Sequence, residues 1–261
     1  MKHNWNVTLL IVVMFFVAQL IGLYITNEYV GEELPLGIER PELDPETSYV
    51  PVFLIILVAT ALAFVIAFFK AVRLWKFWFF LSVFFVLGIA LGAFFNEYIA
   101  FGISLIVAFY KIIRPNVWIH NISELFLYGG LGAMFVPLFN IWSVSILLIL
   151  IMGYDAIAVW KTKHMVKLAK FQSKMKFFTG FLIPYGKNRV AILGGGDIGF
   201  TLLFSGVVFV KYGLISLIVP LIASLGLLGL LVYGDKNKFY PAMPFIGVSC
   251  FIGYGIVYLL A

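Results

Sequence analysis

The stretch AILGGGDIGF, residues 191–200, sets three consecutive glycines and an aspartate inside a run otherwise apolar enough to cross a membrane. The preceding apolar run does something similar: IMGYDAIAVW, residues 151–160, contains a second aspartate. An ionised carboxylate at the centre of a membrane helix costs about 2.5 to 3.5 kcal/mol on insertion scales, and each glycine costs about 1 kcal/mol relative to alanine in a helix interior. Features so unfavourable to a spanning helix need a purpose, and the rest of the chain narrows what it is.

Hydrophobic residues make up 63% of the 261 positions and charged residues 11%, a balance that no water-facing surface of this size accommodates. The chain is therefore read as an all-α polytopic membrane protein. Apolar segments fall at about 5–25, 51–72, 77–95, 98–113, 120–138, 141–160, 190–210, 213–233 and 240–261. Several reach the roughly 20 residues that cross about 30 Å of hydrocarbon, which predicts nine transmembrane helices. Strand-like alternation is absent, which argues against a barrel. The first segment lacks a small-residue cleavage site before its acidic loop and reads as a retained helix rather than a signal peptide. The lone Cys250 excludes an internal disulfide and makes a cysteine metal cage implausible.

Charge orients the segments. With the N-terminus inside, the inner side collects Lys2, Lys70, Arg73, Lys76, Lys111, Arg114, eight basic residues from Lys161 to Arg189, Lys236 and Lys238. Only Arg40 and Lys211 fall outside, and the loop NEYVGEELPLGIERPELDPETSYV, residues 27–50, holds seven acids and three prolines. The bias predicts a cytoplasmic N-terminus and an extracytoplasmic C-terminus. The net charge of +6 then reflects membrane topology rather than nucleic-acid binding. A single membrane-embedded unit is expected over 1–261: spans one to six in 1–160, a basic cytoplasmic loop in 161–189 and spans seven to nine in 190–261.

Of the twelve acids, Glu97 and Glu124 are assigned to span ends and Asp235 to a turn, which leaves Asp155 and Asp197 inside spans. Lys161 follows Asp155 by six residues and Arg189 precedes Asp197 by eight, so at 1.5 Å per residue both acids lie roughly 9 to 12 Å from the inner charges. Two carboxylates at one depth on consecutive antiparallel helices can meet and share a proton, the acid–base state of an aspartic protease. Alone, either is equally a helix-pairing hydrogen bonder or a proton or cation site. Gly194, Gly195 and Gly196 weaken the start of the seventh span and let another backbone approach Asp197; tight packing by small residues is the blander account. In KFYPAMPFIG, residues 238–247, Pro241 and Pro244 predict an extended or kinked start to the last span, although helix initiation explains Pro241 alone.

Tyr154–Asp155, the Gly-x-Gly-Asp pattern ending at Asp197, and Pro241-Ala242-Met243-Pro244 occur in that order. The combination resembles the presenilin and signal peptide peptidase family of intramembrane aspartyl proteases, most of all its compact archaeal members. That resemblance implies nine spans, Asp155 and Asp197 as the catalytic dyad, and a proline segment that shapes the site and holds substrate. Where the family has Pro-Ala-Leu, this chain has Pro-Ala-Met, a nearly volume-conserving change expected to alter substrate fit rather than chemistry. Prepilin peptidases share Gly-x-Gly-Asp but place a lysine where Gly199 stands here.

The expected function is hydrolysis of peptide bonds in transmembrane helices, the substrate unwinding near the inner face and adding as a strand beside the catalytic segments. A proton- or cation-coupled transporter built on the same acids is the alternative reading. The loop KTKHMVKLAKFQSKMKFFTGFLIPYGKNR, residues 161–189, is either a basic amphipathic element on anionic lipid or a solvated connection. Its FFTGFLIP portion is apolar enough to fold back towards the site as a gate or an edge for substrate. His164 reads as an interfacial polar residue. The tryptophans read as interfacial anchors. No cofactor, metal or nucleic acid is expected; the partners are the bilayer, in a prokaryotic plasma membrane with the site towards the cytoplasm, and transmembrane peptides.

Overall fold

The computed structural model describes residues 4–69, 71–161, 178–186, 189–235 and 240–261. Its helices are α1 (Trp5–Glu28), α2 (Tyr49–Phe68), α3 (Val72–Gly92), α4 (Glu97–Ile113), α5 (Val117–Phe135), α6 (Ile141–Ala156), α7 (Gly195–Tyr212), α8 (Ile218–Tyr233) and α9 (Met243–Leu260). Their ends lie within five residues of the expected segments. Asparagine sets four of the starts, where Asn4, Asn96, Asn116 and Asn140 accept hydrogen bonds from amides in the first turns of α1, α4, α5 and α6. At α6 the cap is reciprocal, with Ser143 returning a bond to the Asn140 backbone.

Among the described residues, six helical stretches are long and apolar enough to cross a membrane: Trp5–Glu28, Tyr49–Ile66, Val72–Gly92, Ile141–Lys161, Gly195–Tyr233 and Met243–Leu260. The 39-residue stretch contains both α7 and α8, separated by a 3₁₀ turn over Gly213–Leu217. The 17-residue α4 and the more polar α5 do not belong to the six. Only 6% of the α2 window is buried, and Leu54, Ile55, Val58, Leu62 and Val65 all face outward, a surface that hydrocarbon has to cover. The protein is an integral membrane protein.

Helix α7 is the hub. Residues from Thr201 to Val208 are buried without a break, as befits a helix surrounded by others. It packs against α1, α5, α6 and α9, while α1 also lies along α5 and α8. Across the α1–α7 contact the Gln19 amide donates to the Ile198 carbonyl at 3.0 Å, a buried bond in the first turn of α7.

Two expectations are corrected. Residues 190–194 are not helical: β1 (Gly180–Tyr185) and β2 (Arg189–Gly194) form an antiparallel hairpin, with Gly180 opposite Gly194 and Ile183 opposite Ala191. Glu124 is not at a span end but in the middle of α5, 1% exposed, facing Lys111 in the last turn of α4, 3% exposed. They form an ion pair at 2.9 Å. Glu124 looked terminal in sequence because the pairing that buries it lies between separate helices.

On the acidic-loop side, Arg40 ties the loop to the ends of α1 and α5: its guanidinium donates to the carbonyls of Ala133, Glu32 and Tyr29 at 3.1, 2.7 and 2.8 Å. Because the fork geometry serves three carbonyls at once, Arg40→Ala is expected to destabilise the protein by about 1 to 2 kcal/mol in its partly exposed setting, with Arg40→Lys recovering little of the loss. Thermal unfolding of both variants in one detergent checks this.

Candidate active site

Asp155 occupies the last turn of α6, and the helix then widens into a π-helical turn over Ile157–Lys161. Such widening often accompanies functional positions. The Asp155 carboxylate leaves its own helix and accepts a hydrogen bond from the Met243 amide at 3.0 Å. The sequence explains why that amide is on offer: residues 240–242 are not helical, α9 begins at Met243, and the opening amides of a helix have no partner within it. Asp155 thus caps a helix that starts 88 residues later. Tyr154 points elsewhere, lining a cavity of about 270 Å³ with Leu57, Thr60, Ala61 and Phe64 of α2. Of the proline segment, Pro241 and Met243 are buried and Ala242 and Pro244 half-buried, and Asp155 joins that segment through the Met243 amide.

Asp197 is the third residue of α7 rather than a residue at a helix centre. An acid in a helix's first turn lies at its positive end, which lowers the cost expected for a mid-span charge. The three glycines before it are not equivalent. Gly194 is the extended N-cap, and a side chain there would put its Cβ 3.1 Å from the Asp197 Oδ2. At Gly195 a Cβ would come within 2.8 Å of the Tyr128 hydroxyl and 3.2 Å of the Thr179 carbonyl. Gly196 is exposed, and its added Cβ would meet Phe200 at an ordinary 3.7 Å. The triplet therefore marks the change from strand β2 to helix α7, not a weakened helix interior.

Helices α6 and α7 pack together, one carrying Asp155 in its last turn and the other Asp197 in its first. At the α7 start, a cavity of about 390 Å³ is bounded by Ile56 of α2, Val86 of α3, Tyr128 of α5, Thr179, Gly196 and Phe200.

The hairpin joins these parts. Phe181, Ile183, Ala191 and Leu193 point into the main core, whereas Val190 and Ile192 are exposed. Along its outer edge β1 is held by α5: the Asn121 side chain accepts from the Leu182 amide at 3.0 Å and donates to the Leu182 carbonyl at 2.7 Å, as a neighbouring strand would. One of the His120 ring nitrogens lies 2.8 Å from the Gly180 carbonyl, and the Gly180 amide donates to Glu124 at 3.0 Å. Sequence reasoning overlooked this row. Its signal was the i, i+4, i+8 spacing of His120, Glu124 and Tyr128, with Asn121 beside them, within an expected membrane segment. Among the described residues, β2 pairs with β1 alone, leaving its other edge open. The 161–189 region thus supplies β1 from its FLIP portion, while His164 and the proposed amphipathic element lie outside the described residues. Among the described residues no three His, Cys, Asp or Glu side chains gather as a metal site.

A family model for signal-peptide peptidase, presenilin aspartyl protease matches residues 11–194, ending three residues short of Asp197. Two crystal structures of a presenilin family intramembrane aspartate protease share the fold at 20% sequence identity. The C222 form superimposes with a TM-score of 0.68 over 97% of this chain and 99% of the other. The P2 form gives 0.70 over 99% and 100%. No curated protein matches the chain.

The glycine contacts generate a prediction about stability. Gly195→Ala should lower the melting temperature, at a cost of about 1 to 3 kcal/mol for overpacking, whereas Gly196→Ala should leave it within error of the parent. Parallel melts in one detergent separate the two.

Proposed function

This chain belongs to the signal-peptide peptidase and presenilin aspartyl protease family, and we propose that its intramembrane proteolysis is carried out by Asp155 and Asp197 acting as a dyad. The reading is supported chiefly by the Asp155–Met243 hydrogen bond, which ties the Tyr-Asp motif to the proline segment at the end of α6, the helix that packs on the one Asp197 begins.

In this scheme the two carboxylates hold one proton between them. The ionised carboxylate takes a proton from water as the water oxygen attacks the peptide carbonyl carbon, and the protonated partner gives its proton to the carbonyl oxygen. The tetrahedral diol then collapses: the C–N bond breaks, the amine nitrogen takes a proton from the newly protonated carboxyl, and a diol hydroxyl returns a proton to the other. The dyad regains its starting state. Water plus peptide yields acid plus amine, with no cofactor in the scheme.

The substrate is a transmembrane helix whose unwound part adds to the open edge of β2, its amides and carbonyls pairing with a strand that ends at Gly194. Side-chain selection then falls to the exposed Val190 and Ile192 and to the Pro241–Pro244 segment. Gly196, exposed and without packing of its own, leaves the backbone beside Asp197 open to approach. We further read the chain as nine crossings with the N-terminus and the site on the cytoplasmic side, since Lys161 and Arg189 flank the two catalytic helices at that end. No observation favours the ion-coupled transporter.

Asp155→Asn and Asp197→Asn should each abolish cleavage of a model transmembrane peptide while melting within a few degrees of the parent. Products resolved by mass spectrometry check the loss; normal cleavage by either variant removes that aspartate from the dyad.

A further inference from the structure

A buried ion pair such as Lys111–Glu124 is seldom more stabilising than an apolar pair of the same volume, so its presence calls for a purpose other than stability. Geometry supplies one. Glu124 Oε1 takes the Lys111 ammonium at 2.9 Å, and the ammonium also donates to Ser123. Oε2 takes the Tyr128 hydroxyl at 2.6 Å and the Gly180 amide at 3.0 Å. Glu124, Lys111 and Tyr128 are all at most 4% exposed, and Glu124 and Tyr128 border the cavity of about 390 Å³.

Gly180 is where the catalytic helix is tied down. It adopts φ +125, a conformation that side chains disfavour, and an added Cβ would collide with the Leu193 carbonyl. It pairs across the hairpin with Gly194, and the carbonyl of its neighbour Thr179 accepts the Gly195 amide at 3.0 Å. The Tyr128 hydroxyl, the other donor to Oε2, stands where a Gly195 side chain would be. Both arms from one carboxylate oxygen therefore end at Gly195, two residues before Asp197.

We propose that Glu124, neutralised by Lys111, is a positioning residue: it fixes the junction of β1, β2 and α7, and so sets where the Asp197 carboxylate and the β2 edge stand relative to a bound peptide bond. The proposal rests on Asp197 being catalytic. It requires an acceptor at position 124 rather than a charge, because the donors to Oε2 are an amide and a hydroxyl. Gln can serve them; Leu cannot.

The experiment uses the full-length protein in lipid bicelles with one transmembrane peptide, comparing kcat, KM and cleavage positions for K111M/E124L, K111M/E124Q and Y128F against wild type and D197N. Removing both charges avoids stranding one of them. K111M/E124L should lose about tenfold or more in kcat with KM within about twofold, and should scatter its cuts over neighbouring bonds, because a small displacement of a reacting group is costly. K111M/E124Q should recover most of kcat and the parental cuts. Parental kcat and cuts in K111M/E124L, or equal losses in the Leu and Gln doubles, overturn the proposal. Should K111M/E124L not fold, Y128F decides: a drop of about threefold or more in kcat at an unchanged melting temperature supports the proposal, and an unchanged kcat overturns it. Cleavage by D197N overturns the dyad reading instead.

Discussion

An extended backbone at membrane depth must find partners for its amides and carbonyls inside the protein, because lipid supplies none. The rest of this structure depends on how that demand is met around β1. Asn121 answers both polar groups of Leu182, while Glu124 and His120 answer those of Gly180. Helix α5, which carries these polar side chains, is not one of the six stretches apolar enough to span. Its polar face is spent on a strand rather than on water. With β1 satisfied, β2 can stop at Gly194 and pass directly into α7, which puts Asp197 in a first turn.

The two aspartates meet helix ends in different ways. Asp197 belongs to the helix whose positive end it occupies; Asp155 borrows the start of α9 by accepting the Met243 amide. Either arrangement offsets part of the cost of burying a carboxylate. Local geometry accounts for each motif: the glycines clear space for Asp197 and for the Thr179 carbonyl, and the non-helical approach through Pro241 and Ala242 leaves the Met243 amide for Asp155.

Much of this was legible in the residues themselves. Charges inside apolar runs are conspicuous, so Asp155 and Asp197 stood out as candidates, and two closely spaced prolines, Pro241 and Pro244, marked the irregular start of α9. The hairpin was not. FLIP and VAIL are short, apolar and unbroken, and periodicity does not separate such a run from the first turn of a spanning helix. The Lys111–Glu124 pair was hidden for another reason. Each residue lies within about one helical turn or two of an apparent segment boundary, and nothing local to either announces a partner 13 residues away on another helix. Glycines were read as one feature, but neighbours distinguish them: Gly195 is needed for packing and Gly196 is not.

The account centres on two carboxylates that handle one proton jointly. The pH dependence of kcat/KM for a single transmembrane peptide tests this most directly, because it reports the ionisations of the free enzyme as a pair. The account predicts a bell, falling on the acid side when both carboxylates are protonated and on the alkaline side when both are ionised. A rate that follows one ionisation only, remaining on a plateau on the other side across the range in which the protein stays folded, contradicts it.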